Sequence, residues 1–326
     1  MKNGAIFTFL FLILVIEGFT PGPGLGQEKI RVGVPLFPTV AFPTFIGSEK
    51  GIFEKNGLKI EIIRINSEPT TYQALISGDI DVASGAPTGL VTTNLQGVPV
   101  ISLGSWDNLV PYTLATRERI DHLSQLRGKK IGVNRLGGKS SLILRVMLED
   151  AGLNPMKDVT LLQLGGSQER LAALMRGGID AAPVDYAFEP KMRQMGFFLL
   201  KGRKTPFMNG SNAVKTSSLQ SDRAKWKRFV KSFLEATHYM MTNKDGTVEI
   251  LRRVIGIDDK ESLDFTYEQM RSRADADLYP PDAAVENLVR MVTYVDKRAS
   301  SVDKRKLLDL SILQELGQGK PSPTKK

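Results

Sequence analysis

The chain has 326 residues, enough for two domains, and its 41% hydrophobic and 24% charged residues are typical of a globular protein with a sizeable core. It contains no cysteine, which excludes disulfides, thiolate metal sites and cysteine nucleophiles. The net charge of +9 would suit a nucleic-acid partner, but the positive residues are scattered, and those near Trp226 form the solvated face of an amphipathic helix.

The first 26 residues are predicted to be a secretory signal peptide. Lys2 precedes an almost unbroken apolar run over 5–16, which is too short to span a bilayer comfortably, and Gly24 and Gly26 stand where a signal peptidase reads small residues. The alternative is an uncleaved anchor. Both alternatives place the rest outside the cytoplasm and argue against a nucleic-acid partner. Because a lipoprotein anchor needs a cysteine, a Gram-negative periplasm fits best.

An internal repeat predicts two similar halves. Residues 73–84 resemble residues 170–183, and aligning Asp81 with Asp180 gives an offset of 99 residues. Each copy reads as an amphipathic helix, a glycine cap and a short strand. We expect the two aspartates to hold a turn through backbone amides rather than to act in catalysis.

Two further strands precede each copy, so that each half reads strand, helix, strand, helix, strand. This order predicts an α/β protein with two doubly wound lobes, each with a mainly parallel sheet covered by helices. The predicted strands cover 29–34, 58–63, 129–133 and 159–164, and the predicted crossings between lobes cover 111–116 and 212–216. The predicted divisions are lobe 1 over 27–114 and 217–316, lobe 2 over 115–216, and a flexible tail over 317–326.

Three segments, 47–61, 74–83 and 123–133, resemble in order the nitrate/sulfonate/taurine-type solute-binding proteins and the thiamine-pyrimidine-precursor binding family. The resemblance runs from about residue 30 to about residue 234. It implies a type II periplasmic-binding-protein fold with two crossover strands, a small-molecule ligand in the cleft and an ABC importer permease as partner. No cofactor is predicted. The cysteine-rich motif of the eukaryotic members that synthesise the thiamine pyrimidine is missing, so that activity is not carried over.

Ligands of open α/β sheets bind beyond the carboxyl ends of the strands, and this rule selects four loops. In the first, Phe37 and Phe42 could form an apolar wall and Thr39 could offer a hydroxyl; the alternative is ordinary loop packing. In the second, the candidates are the helix-start residues whose amides and hydroxyls can donate to an anionic or carbonyl group. They are Ser84, Gly85 and Thr88.

The third loop is the strongest single candidate. Gly137 and Gly138 would let the backbone approach a ligand, and Ser140 could cap the following helix. With Arg135 and Lys139 nearby, this helix start would suit a carboxylate, sulfonate or phosphate. The alternative is a capped turn with solvated charges.

The fourth loop brings Asp185 and Tyr186 to the opposite wall, where Asp185 would favour a donor or a cation. Trp106 could stack on a planar ligand or pack in the hinge. His122 and His238 form neither a metal-spaced cluster nor a hydrolase triad, so neither a metal site nor a catalytic residue is predicted. The sign of the ligand charge stays open.

Three functions fit these features. The first is a monomeric solute-binding component of an importer with no chemistry of its own. The second is an enzyme on the same fold, and the third is a ligand-sensing partner of a membrane receptor. The lack of cysteine, histidine clusters and nucleotide motifs disfavours the enzyme.

Overall fold

The computed structural model describes residues 27–200 and 205–318; the predicted signal segment and most of the predicted tail lie outside them. The strands are β1 (Glu28–Pro35), β2 (Leu58–Ile65), β3 (Val82–Ser84), β4 (Val100–Ser105), β5 (Tyr112–Thr116), β6 (Lys130–Val133), β7 (Thr160–Gln163), β8 (Ala181–Asp185), β9 (Phe198–Leu200) and β10 (Ser211–Lys215). The helices are α1 (Phe42–Glu49), α2 (Ile52–Lys55), α3 (Glu68–Ser77), α4 (Pro87–Leu95), α5 (Lys139–Asp150), α6 (Ser167–Met175), α7 (Glu189–Gln194), α8 (Thr216–Ser221), α9 (Arg223–Thr242), α10 (Lys244–Ile255), α11 (Lys260–Arg273), α12 (Asp282–Val292) and α13 (Ser311–Glu315). Short 3-10 helices cover Thr39–Ala41, Leu123–Leu126, Tyr186–Phe188, Lys297–Ser301 and Lys304–Leu307.

The strands form two five-stranded sheets with the same internal plan. The first sheet has the order β2-β1-β3-β10-β4 and the second the order β7-β6-β8-β5-β9. In each sheet four strands run in the same direction and one runs against them: β10 is antiparallel to β3 and β4, and β5 is antiparallel to β8 and β9. The predicted α/β fold with two mainly parallel sheets is confirmed.

The paired aspartates of the repeat are structural, as predicted. The Asp81 carboxylate accepts a hydrogen bond from the Arg31 backbone amide at 2.8 Å, and the Asp180 carboxylate accepts one from the Lys130 amide at 2.8 Å. Each carboxylate therefore ties the start of one strand, β3 or β8, to the parallel strand beside it, β1 or β6.

The positions of the two crossings differ from the prediction. We placed them at 111–116 and 212–216, but Tyr112–Thr116 is a strand of the second sheet and Ser211–Lys215 is a strand of the first. Both segments have the extended pattern of a strand, and the local pattern does not reveal which sheet provides the hydrogen-bond partners. The assignment of whole lobes stays a prediction.

The chain crosses between the sheets in the segments just before β5 and just before β10. These segments lie side by side, because the Phe207 amide donates to the Asn108 carbonyl at 2.9 Å and the Val110 amide donates to the Thr205 carbonyl at 3.1 Å. Two adjacent connecting segments between two sheets form the kind of connection at which hinge motion occurs.

The C-terminal helices pack on both halves. Helix α9 buries Trp226, Phe229 and Phe233 against α1 and α2, beside the first sheet. Helix α12 contacts α4 of the first half and α5 of the second, and α11 contacts the turn Tyr186–Phe188. We expected this region to pack on the first lobe; it also reaches the second.

Over residues 27–200 and 205–318, no helix combines the length and apolar character needed to span a bilayer. The same residues include no group of three or more His, Cys, Asp or Glu side chains placed to hold a metal ion.

Candidate ligand-binding site

The loops that follow β1 and β8 meet between the two sheets. The Thr39 hydroxyl donates to Asp185 Oδ2 at 3.3 Å, and the Phe37 ring stacks on Phe188 with centroids 5.1 Å apart. A groove of about 390 Å³ opens beside this aromatic pair, between α6 and α7 on one side and the turn from α10 to α11 on the other. The structure therefore brings together Phe37, Thr39 and Asp185, which the sequence placed on opposite walls.

A buried polar network joins the crossing strands to both halves. Asp107 forms an ion pair with Arg273 at 2.8 Å and accepts a hydrogen bond from Asn209 Nδ2 at 2.7 Å. The side-chain oxygen of Asn209, Oδ1, in turn accepts from Lys139 Nζ at 3.4 Å, and the Arg273 guanidinium lies 5.2 Å from the centre of the Tyr186 ring. Lys139 and Tyr186, both predicted site residues, are thus linked through the crossing.

The loop after β3 forms the first-sheet wall. Gly85 has a φ of +71°, and a Cβ there would lie 2.3 Å from Val40 Cγ2, so only glycine fits this close approach. Ser84 is buried, and its Oγ has no hydrogen-bond partner within the described part of the chain. Thr88 is already engaged, because its amide donates to Glu68 Oε2 at 3.1 Å and its hydroxyl makes a second bond to the same oxygen.

The loop after β6 is held mainly by its own side chains. The Ser140 hydroxyl donates to Asn134 Oδ1 at 2.7 Å and accepts from the Asn134 amide at 3.0 Å, while Gly137 supplies a φ of +78°. Ser140 therefore braces the loop, and Arg135 is exposed to solvent. The predicted role of Arg135 at the anion site has no support from its position.

Helix α5 begins where this loop ends and presents its amides without a side-chain cap. Its N-cap is Gly138, and the first-turn amides of a helix have no partner within the helix. Lys139 is the first helical residue, and Ser141 is fully buried with an Oγ that has no hydrogen-bond partner among the described residues. This helix start combines a cation, free amides and a buried hydroxyl, the groups that bind an anion or an acceptor.

Burial dominates the electrostatics of Asp185. It raises the pKa of this carboxyl from 3.8 to about 6, although the Ala187 amide, Lys139, Arg273 and the Thr39 hydroxyl all act to lower it. A carboxylate with this pKa is mostly ionised at pH 7 and accepts a proton in mild acid.

The pKa of the buried Tyr112 hydroxyl is affected by charged residues of both halves. Burial raises the pKa of its hydroxyl, Lys139 and Arg170 lower it, and Asp185 and Glu68 raise it further. Arg170 is bound to backbone carbonyls, including that of Pro183 at 3.0 Å.

Two predicted aromatic contacts belong to packing in this structure. Phe42 is fully buried in the core beside the first sheet. Trp106 is also fully buried, and its indole N–H donates to the Val40 carbonyl at 2.7 Å, which fits the hinge-packing alternative.

Sequence reasoning missed five residues that contact predicted site residues or the helices and strands that carry them: Glu68, Tyr72, Tyr112, Asn209 and Arg273. A signal for Glu68 existed, since Ser67-Glu68-Pro69 is a helix start directly after the carboxyl end of a predicted strand. Arg273, at the end of a distant helix, had no local signal.

Comparison with known proteins agrees with this architecture. A relative from Bacillus subtilis (strain 168), which carries the provisional name aliphatic sulfonates-binding protein, is 25% identical over 274 residues, covering 80% of each chain. The 4-amino-5-hydroxymethyl-2-methylpyrimidine phosphate synthase of Schizosaccharomyces pombe (strain 972) is 30% identical over 142 residues, 42% of this chain and 39% of that protein. The periplasmic aliphatic sulphonate binding protein SsuA from Escherichia coli superposes with a TM-score of 0.69 at 17% identity, covering 86% of this chain and 91% of that one.

The likeness to SsuA shows that the fold is that of the periplasmic binding proteins, as predicted. The sequence profile described as NMT1/THI5 like matches residues 39–246, a stretch that carries loops from both walls of the site. The predicted family resemblance is confirmed, and the chain belongs to the NMT1/THI5-like family.

Proposed function

We propose that the protein is an extracytoplasmic solute-binding protein, which captures a small molecule between its two sheets and delivers it to an ATP-driven importer. The observation that carries this proposal is a set of buried polar atoms on both walls that have no hydrogen-bond partner within the described residues. They are Glu68 Oε1, the Tyr72 hydroxyl, Ser84 Oγ, Ser211 Oγ and Asn212 Oδ1 on the first-sheet side, and Ser141 Oγ on the second.

Such atoms are rare in folded proteins because each costs about 1–3 kcal/mol when it is buried without a partner. A polar ligand that hydrogen-bonds to several of them would recover this free energy on binding. Because the atoms belong to both halves, the ligand would also favour the arrangement in which the halves are close together.

The relatives support a binding role. The names of the Bacillus subtilis and Escherichia coli proteins describe them as binding sulfonates, and the Escherichia coli protein is described as periplasmic. We therefore place this chain outside the cytoplasm, with a small organic or anionic solute as its ligand and a membrane permease as its partner.

A thermal-shift screen tests the proposal. The purified protein is incubated with sulfonates, nitrate, aromatic carboxylates and aminopyrimidines. We expect one class to raise the melting temperature, since a ligand that binds only the folded state at 100 times its Kd adds about 2.7 kcal/mol of stability. Recovery of the unchanged ligand is the second expected result. Conversion of the ligand to a product would contradict a pure binding role.

The second candidate function is an enzyme, and the observation that favours it is the similarity to the Schizosaccharomyces pombe synthase. The similarity covers 42% of this chain, and the cysteine-rich motif that the family resemblance associates with pyrimidine synthesis is missing. Mass spectrometry of each thermal-shift hit before and after incubation separates the two functions.

A further inference from the structure

Two phenylalanine rings, one from each half, are stacked on each other at the edge of the groove. Phe37 follows β1 and packs against the core beside the first sheet, which includes Trp226. Phe188 follows β8 and packs against a core beside the second sheet, which includes Met192. The ring centroids lie 5.1 Å apart and the ring planes form an angle of 28°, so the stack joins the cores of the two halves directly.

Both rings stand on short, packed segments rather than on free loops. Phe37 is followed by Pro38, whose ring restricts its φ, and by the buried 3-10 helix Thr39–Ala41. Phe188 is the last residue of the 3-10 helix Tyr186–Phe188 and leads directly into α7. We therefore expect the rings to separate through a relative motion of the halves rather than through a movement of either loop.

Two polar contacts accompany the stack. The Thr39 hydroxyl donates to Asp185 Oδ2 at 3.3 Å, which is long for a hydroxyl donor. Gln194 of α7 donates to Glu261 of α11 at 3.0 Å in a solvent-exposed position. We expect neither bond to hold the halves together strongly. Both rings are half-buried and line the groove, so the stack is a partly solvated contact of the kind that can form and break.

We propose that Phe37 and Phe188 form a latch: a direct contact that holds the halves in the closed arrangement, in which the two loops meet, independently of the ligand. A ligand that contacts both walls binds this arrangement, and its apparent affinity falls in proportion when the closed arrangement is less populated. The latch goes beyond the proposed function, because it acts between protein groups; its effect on affinity rests on that function.

Distance measurements by pulsed electron paramagnetic resonance test the latch on the purified protein without added ligand. Because the chain has no cysteine, Arg176→Cys and Arg252→Cys would carry the only two spin labels. Both positions are exposed; the first follows α6 and the second lies on α10, so they belong to opposite sides of the groove. We expect the main distance in the labelled protein to be the one that this structure gives.

Phe37→Leu and Phe188→Leu each keep an apolar side chain in its core and remove one ring of the stack. Stacked rings contribute beyond their buried area, and we expect either variant to raise the ratio of longer-distance to main-distance molecules about two- to tenfold. The double variant should raise the ratio no further, since either single substitution already removes the stack. Phe198→Leu, which replaces a ring that is 44% exposed on β9, is the control and should leave the ratio unchanged.

The same distances in the wild-type protein and in both leucine variants overturn the latch, and so does an equal change in Phe198→Leu. A double variant whose change is the product of the two single changes overturns it too, because the rings then act separately. A wild-type protein that mainly shows the longer distance also overturns it, and this comparison needs no variant to fold. The proposed function is tested by the thermal-shift screen instead, so the two can fail separately.

Discussion

Asp107→Asn tests the buried ion pair at the crossing between the sheets. Asp107 and Arg273 lie 2.8 Å apart with 1% and 9% of their side chains exposed. The carboxylate also accepts hydrogen bonds from Asn209 Nδ2 at 2.7 Å and from the Leu109 amide at 3.2 Å. Asparagine keeps the shape of the side chain, so the substitution removes the charge and one acceptor without creating a cavity.

The expected loss is large because Arg273 would remain buried without its counter-charge. Breaking a buried pair by removing one partner costs about 3–5 kcal/mol of unfolding free energy. The matched control is Glu286→Gln, which breaks an ion pair with Lys304 at 2.8 Å whose side chains are 57% and 46% exposed. An exposed pair of this kind contributes about 0–1 kcal/mol.

Urea unfolding at pH 7 measures both variants against the wild-type protein. We expect Asp107→Asn to lower the unfolding free energy by at least about 2 kcal/mol more than Glu286→Gln does. The double variant Asp107→Asn with Arg273→Met should lose less than the sum of its two single variants, since it leaves no unpaired charge. Equal losses in Asp107→Asn and Glu286→Gln would refute the reasoning.

Two further predictions concern the site. Gly138→Leu should weaken ligand binding, measured by calorimetry, at least about tenfold with little loss of stability. The φ of Gly138, −81°, suits any residue, but a Cβ there would lie 2.9 Å from Asn134 Oδ1, which braces the loop. Gly178→Leu, where a Cβ meets only the Ala173 carbonyl at 3.6 Å, is the control, and unchanged affinity in Gly138→Leu would remove the loop from the site. Asp185→Asn should remove a pH dependence of the unfolding free energy. The pKa of Asp185 is about 6 in the folded protein and near 3.8 in the unfolded chain, so the protonated carboxyl stabilises the fold below pH 3.8 and this stabilisation is lost as the pH rises through 6. The loss amounts to about 3 kcal/mol at pH 7. The difference in unfolding free energy between wild type and Asp185→Asn should change in that direction between pH 7 and pH 4, and a constant difference would show that the carboxyl does not titrate with folding.

The fold could be predicted from the sequence because it depends on local patterns that occur twice in the chain. The helix, glycine cap and strand around Asp81 and Asp180 recur, and each carboxylate makes the same bond to a strand amide. The positions of the crossings were wrong because Tyr112–Thr116 and Ser211–Lys215 pair with strands far away in sequence. An extended segment indicates a strand, but its partners depend on the assembled sheets.

The site was predictable to the extent that it follows the carboxyl ends of parallel strands. That rule selected Thr39, Ser84, Lys139 and Asp185 as candidates. It could not show that Arg135 points to solvent, because a loop residue next to glycines can face either way. It also could not find the Arg273 guanidinium, which reaches the crossing from the end of α11.

The ligand charge that the site favours depends on how the charged residues of the site are arranged rather than on their sum. The sequence predicted Arg135 and Lys139 as cations near the cleft and Asp185 as an anion, but Arg135 is exposed to solvent, which leaves Lys139 and Asp185. Burial raises the pKa of the Asp185 carboxyl to about 6, while the neighbouring charges of Lys139 and Arg273 act to lower it. The ligand charge that this wall favours therefore changes as the Asp185 carboxyl titrates near pH 6.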